Sequence, residues 1–256
     1  MKLKKLFENN NKLPEEFTKH FKITGDYEQI QDGPLKGEWV FHGNLQMTNI
    51  GSNTAGGIMR EIPIPIAKVE GTLGITGGDL VSFKNIPRES GKIKILACPI
   101  TDASTQYTVQ SNDIELQSLS GTKNLSGLNV NCKSFLINNC NELTTLDGIQ
   151  GNIDRLTIKK LKSLTDDLSA LPVRANSIVL SFAPIGNNMP SYANAKGLIK
   201  IILQNNVSNI SITDMELIPD KKLLDIFKKH QGRGLKEILP FIRDLRLAGY
   251  ASVANI

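Results

Sequence analysis

Seven apolar-x-apolar pairs recur down the middle of this sequence at a nearly constant step, and that step constrains the fold more than any other feature. The pairs are Leu73/Ile75, Ile93/Ile95, Ile114/Leu116, Phe135/Ile137, Leu156/Ile158, Ile178/Leu180 and Ile201/Leu203. Each pair is the footprint of a short strand with one buried face, because successive side chains on a strand point to opposite sides. A second apolar pair follows in several units (Leu80/Phe83, Leu143/Leu146, Leu161/Leu164), and the unit from Ile93 to Asp113 lacks the second leucine pair. Unit ends repeat as Asn85-Ile86-Pro87, Asp147-Gly148-Ile149 and Ala170-Leu171-Pro172, and Gly91, Asn131 and Gly151 reopen the next unit.

A unit of about 21 residues cannot bury its own apolar stripe, whereas stacked units bury a continuous one. Leu156 and Ile158 are then expected inward, with Arg155 and Thr157 outward. Asparagine is abundant and gathers at unit corners such as Asn138, Asn139, Asn141 and Asn152. It tolerates left-handed backbone and bonds turn amides, as a repeatedly bending chain requires. A sandwich of evenly spaced strands is the alternative. The constancy of the step favours a solenoid of seven or eight coils.

The lines Val69-Glu70-Gly71-Thr72-Leu73-Gly74-Ile75 and Leu80-Val81-Ser82-Phe83-Lys84-Asn85-Ile86-Pro87 resemble the divergent leucine-rich-repeat-like arrays encoded by large tailed bacteriophages. There a V-G-x-L-x-I strand precedes L-x-S-L-x-G-x-P. The segment from Cys132 to Pro172 is similar, and the resemblance spans about residues 65–185. It implies a mixed β-rich, leucine-rich-repeat-like solenoid and a host-directed or phage-complex role. The ordinary consensus L-x-x-L-x-L-x-x-N is met imperfectly.

The ends follow other patterns. In residues 1–64, expected as an N-terminal cap, Leu13-Pro14-Glu15-Glu16-Phe17 reads as a helix start, with acids near the positive helix end. Phe21/Ile23, Trp39/Phe41 and Leu45/Met47 alternate like strands. Trp39 is either an exposed binding anchor or a residue covering the first coil. Gly51-Ser52-Asn53-Thr54-Ala55-Gly56-Gly57 reads as a mobile loop without a P-loop pattern. Residues 65–218 form the expected solenoid, with Ile210/Ile212 as a last strand. Residues 219–256 form the expected basic C-terminal helical cap. Its first helix runs from Pro219 to His230 and its second from about Leu235 to Ala248, with Pro240 kinking the second helix or delaying its start, and Gly249 closing it.

Composition narrows the chemistry. No apolar run reaches the length of a membrane span, and the stretch from Met1 to Asn11 lacks the apolar core of a signal peptide. Three scattered cysteines (Cys98, Cys132, Cys140) fit a reducing cytoplasmic setting, with Cys132 and Cys140 as buried small hydrophobes. His20 and His42 show no partner at useful spacing, and three histidines in all leave little material for a histidine-rich metal site. Nucleophile-elbow, H-E-x-x-H and Walker patterns are absent. Asp147, Asp154 and Asp166/Asp167 fall at different repeat positions and do not stack into a carboxylate site. A non-enzyme without cofactor or metal is expected.

The net charge of +5 is uneven, with eight basic and four acidic residues between Asp220 and Arg246. The first expectation is a protein-interaction scaffold that docks on a host or phage protein through Thr72, Lys94, Glu115, Asn138, Thr157 and Val179 on the strand face. The second is a nucleic-acid-associated factor using Lys229, Arg233, Lys236, Arg243 and Arg246, against which stands a merely solvated helix face. A minor virion component is the third. No membrane partner is expected.

Overall fold

The computed structural model describes residues 12–47, 59–159, 161, 177–181, 209–213, 221–230 and 238–250. A helix, α1 (Glu15–His20), leads into β1 (Phe21–Thr24), β2 (Tyr27–Gln29), β3 (Trp39–Phe41) and β4 (Asn44–Met47). The long strands β5 (Ile66–Thr76), β6 (Glu89–Leu96), β7 (Val109–Gln117), β8 (Asn129–Asn138) and β9 (Gln150–Lys159) follow. The remaining elements are β10 (Ser177–Ser181), β11 (Asn209–Thr213), α2 (Lys221–His230) and α3 (Ile238–Leu247).

All the described strands belong to one sheet, whose main path runs β1-β4-β5-β6-β7-β8-β9-β10-β11. From β4 to β11 every pairing on this path is parallel. Parallel neighbours need a crossover, and here each crossover is the rest of a coil. The register carries Leu73 to Ile93, then to Ile114, Phe135 and Leu156, one coil at a time. The chain is therefore a strand-rich β-solenoid, in which the fully described run from β5 to β9 makes four turns of about 21 residues each. β10 keeps close to the same step, pairing Leu156 with Ile178. The strand bonded to β10 is β11, which pairs Ile178 with Ile210, a step about half as long again as the others. Ile201 and Leu203, extrapolated as the next strand, lie outside the described residues, as do Leu164, Ala170-Leu171-Pro172, Asp166/Asp167 and the loop from Gly51 to Gly57.

Alternation decides what is buried. Leu73, Ile75, Ile93, Ile95, Ile114, Leu116, Phe135, Ile137, Leu156 and Ile158 are all at most 5% exposed, while Arg155 is exposed and Thr157 half-buried. The opposite wall of the coils is stacked too, as Leu80, Ile100, Thr122, Leu143 and as Phe83, Ala103, Leu125, Leu146. The unit from Ile93 to Asp113, which lacks the leucine pair, fills the same places with Ile100 and Ala103. Trp39 is buried in the same core cluster, which removes the exposed-anchor reading. Ile226, Phe241, Ile242, Leu245 and Tyr250 also belong to it.

Two further columns hold the bends. Gly77, Ala97, Ser118 and Asn139 all have φ between 52° and 66°, and the amide of each donates to the carbonyl of the last strand residue one coil on: Leu96, Gln117, Asn138 and Lys159. Ser82, Asp102, Asn124 and Thr145 each accept the amide two residues ahead through a side-chain oxygen, at 2.9–3.1 Å. Four residue types share this repeat position because each has an oxygen at the reach an Asx or ST turn needs. Gly91 and Gly151, expected where units reopen, lie inside β6 and β9. At Gly151, φ is 108° and a Cβ would stand 2.0 Å from the carbonyl oxygen of Val130.

The ends have their own geometry. Pro14 precedes α1, with Glu15 and Glu16 in its first turn. β2 has no counterpart in the apolar alternation of the sequence; it pairs antiparallel with β3. β3 and β4 follow one another along the same edge of β5, β3 pairing in parallel with its first part and β4 with its later part. Pro240 sits in the first turn of α3, where a missing amide costs no helical bond. Gly249 (φ 94°) ends that helix, and the Tyr250 amide donates back to the Leu245 carbonyl.

Candidate interaction faces

The outer face of the sheet is built by register. One row runs Gly74, Lys94, Glu115, Leu136, Thr157, Val179 and Ser211. Lys94 and Glu115, expected on the strand face, are therefore neighbours, as are Thr157 and Val179, with Leu136 between the two pairs. Thr72 lies one row over, with Lys92, Asp113, Ser134 and Arg155. Asn138 lies on the other side, with Thr76, Leu96, Gln117 and Lys159. The six residues share a face but not a line, because Thr72 and Asn138 stand at different strand offsets from the rest.

The two halves of this face differ in chemistry. Near its start the charges satisfy one another: Lys92 Nζ reaches Glu115 Oε1 at 2.6 Å, Lys94 reaches Oε2 at 3.7 Å, and Lys68 reaches Glu89 at 3.2 Å. Further along, the central row has no charge at Leu136, Thr157, Val179 or Ser211. Towards the first ends of the strands, Asn131 Oδ1 accepts both the amide (2.9 Å) and the Nδ2 (3.2 Å) of Asn152. This asparagine ladder fixes neighbouring strands to each other.

His42 is not without partners, contrary to expectation. It sits where β3 turns into β4, with Nε2 3.4 Å from Glu28 and Nδ1 3.4 Å from Glu70. Strands distant in sequence bring the two carboxylates there, so spacing alone could not reveal them. His20 is buried.

The second candidate face is the helical pair. Lys229 donates to Asp244 Oδ2 at 2.6 Å, and His230 Nε2 stands 2.9 Å from the same oxygen. These contacts, Lys229 first, lower the Asp244 carboxyl to about 2. Lys229 is thus held to its own hairpin. Arg243 and Arg246 are exposed, and Arg233 and Lys236 lie outside the described residues.

All three cysteines are free and buried. Burial pushes the thiols of Cys98 and Cys132 up to about 12 and raises that of Cys140, so each packs as a small apolar group. Asp147 and Asp154 are exposed and occupy different parts of the coil. Among the described residues no group of three or more His, Cys, Asp or Glu is placed to hold a metal ion, and no helix there is long and apolar enough to cross a membrane. A search of protein families, curated proteins and solved structures finds nothing that matches this chain.

Proposed function

We propose that this chain is a non-catalytic interaction scaffold that docks on a protein partner through the outer face of its sheet. The observation that carries this reading is the row from Gly74 to Ser211, in unbroken register, which from β5 to β9 runs beside inward rows that supply the core. A row so supported varies its side chains without disturbing the packing beneath. The docking half is the end around Thr157, because the charges at the other end are already paired within the chain. The leucine-rich-repeat-like character, the capping roles of the two ends, a phage origin and a host or phage target in the cytoplasm belong to the same reading, and a place in the virion is compatible with it.

The test is recovery of a partner from lysate of the source cells by the tagged protein, with and without nuclease. A stoichiometric protein that survives nuclease and added salt, and is lost when Leu136 and Thr157 become Glu, supports the proposal. Partners that vanish with nuclease, and with Arg243 and Arg246 changed to Ala, put the nucleic-acid reading in its place. The exposed arginines of α3 favour that second reading; the engagement of Lys229 by Asp244 weighs against it.

A further inference from the structure

The positions around Thr157 form a block in register: Ser134, Leu136 and Asn138 on β8, Arg155, Thr157 and Lys159 on β9, and Ser177, Val179 and Ser181 on β10. The charged residues of this block are Arg155 and Lys159, both positive and one on each side of Thr157. Arg155 is exposed and Lys159 half-buried. Two coils earlier, the rows of Arg155 and Thr157 hold Lys92 and Lys94 on β6 beside Asp113 and Glu115 on β7. There Glu115 takes both lysines. Among the described residues no acid forms an ion pair with Arg155 or Lys159. The next acid in the row of Arg155 is Asp113, two strands away, or about 10 Å at about 4.8 Å a strand. The row of Lys159 contains none: it reads Thr76, Leu96, Gln117, Asn138, Lys159, Ser181 and Thr213.

Spacing restricts what brings the missing carboxylates. Arg155, Thr157 and Lys159 alternate on one strand, so the two cations stand about 13 Å apart at about 3.3 Å per residue. An extended segment laid along β9 has the same step, and its residues i, i+2 and i+4 face the sheet together. On a helix, positions i, i+4 and i+8 advance about 6 Å a step but turn about 40° each time, so the third leaves the face. A nucleic-acid strand carries a charge at every nucleotide, whereas this block offers two cations with an uncharged position between them. A carboxylate is taken by an arginine fork and by a lysine ammonium alike, through charge-assisted hydrogen bonds.

We propose that β9 docks an extended acidic segment of a partner protein, with carboxylates at i and i+4 on Arg155 and Lys159 and an uncharged side chain at i+2 over Thr157 and Leu136. This inference rests on the sheet-docking reading and adds to it the charge and the conformation of the partner. Two ion pairs make the docking only shallowly dependent on salt, unlike contact with a phosphate backbone.

The test measures binding of short labelled peptides to the full-length protein by fluorescence anisotropy at physiological salt. The probe is a threonine-rich peptide, which favours extended backbone, with Asp at i and i+4 and Val at i+2. Its control has the same composition with the two Asp adjacent, so that they point to opposite sides. The probe is expected to bind on the order of tenfold more tightly than the control, and to lose about tenfold, or about 1.4 kcal/mol, in Arg155→Gln/Lys159→Gln. An unchanged melting temperature verifies the fold of that variant. Lys22→Gln/Lys123→Gln, which removes two exposed charges elsewhere, should bind the probe normally. The proposal is overturned if the probe binds no better than its control, or binds Arg155→Gln/Lys159→Gln as well as the parent. It is equally overturned if a thymidine oligonucleotide binds the parent, the peptides do not, and that variant loses it, which assigns the two cations to nucleic acid. A lysate partner lost in Leu136→Glu/Thr157→Glu but kept in Arg155→Gln/Lys159→Gln leaves the sheet-docking reading standing and overturns this one.

Discussion

Arg88 grips Glu38 from far away in sequence. Its Nε lies 2.9 and 3.1 Å from the two carboxylate oxygens, and its Nη2 donates at 2.9 Å. The guanidinium also lies 4.0 Å from the centroid of the Tyr107 ring, and the Tyr107 hydroxyl donates to the Ile86 carbonyl. The cluster ties the segment before β3 to the loops that precede β6 and β7. Glu38 is only 13% exposed, so removing Arg88 alone strands a carboxylate out of water. Arg88→Met is expected to cost about 1–3 kcal/mol, and Arg88→Met with Glu38→Gln less than the single change. Urea unfolding of both variants measures this; equal costs would show that the pair contributes nothing beyond packing.

The column of left-handed corners makes a backbone prediction. Ala97 holds φ at 53° and is exposed, so its side chain adds little burial to offset the strain. A non-glycine residue in this region carries roughly 1–2 kcal/mol of steric cost, most for β-branched side chains and least for asparagine. Ala97→Asn should be neutral or stabilising and Ala97→Val destabilising by about 1 kcal/mol or more. Thermal melts of the two variants rank them, and the opposite order would remove the corner geometry.

These columns also mark the limit of what the sequence discloses. The inward pairs were legible because Leu, Ile and Phe at alternate positions leave no other economical burial, and each of the first six pairs falls on a described strand in register. The left-handed corner was half-legible: Asn139 fits its expected role, but Gly77, Ala97 and Ser118 occupy the same site with nothing in common except backbone. The turn column of Ser82, Asp102, Asn124 and Thr145 was missed although its signal was present, since an oxygen-bearing short side chain recurs there once per coil. Contacts such as Arg88 with Glu38 or His42 with Glu70 depend on which coil lies beside which, and no local pattern encodes that. The step from β10 to β11 departs from the extrapolated period, since Ile178 pairs with Ile210 and not with Ile201.

The three thiols supply a chemical test of the packing. A thiolate is the reactive species, and a buried thiol whose titration is pushed up to about 12 has almost none at neutral pH. Cys98 Sγ donates to the Leu96 carbonyl at 3.3 Å, inside the corner below Ala97. The folded protein should therefore react with none of its cysteines on the time scale of ordinary disulfide-exchange reagents, and with all three once denatured. Rapid labelling of Cys132 or Cys140 in native buffer would mean that the coils open there.

Asp244 sets an acid limit on the helical pair. Its carboxyl is held at about 2 by the hydrogen bonds from Lys229 and His230, whereas an unpaired aspartate titrates at about 3.9. Because the folded value is the depressed one, the contribution is complete above the ordinary aspartate range. It is lost as pH falls through that range toward the depressed value. Hydrogen exchange in α3, measured relative to β7 and β8, is expected to show protection declining across this window in the parent. Asp244→Asn should begin with weaker protection at neutral pH and stay level as acid is added. If the variant declines in parallel with the parent, groups elsewhere govern the acid response, and the bond from Lys229 to Asp244 is a surface contact without consequence for the hairpin.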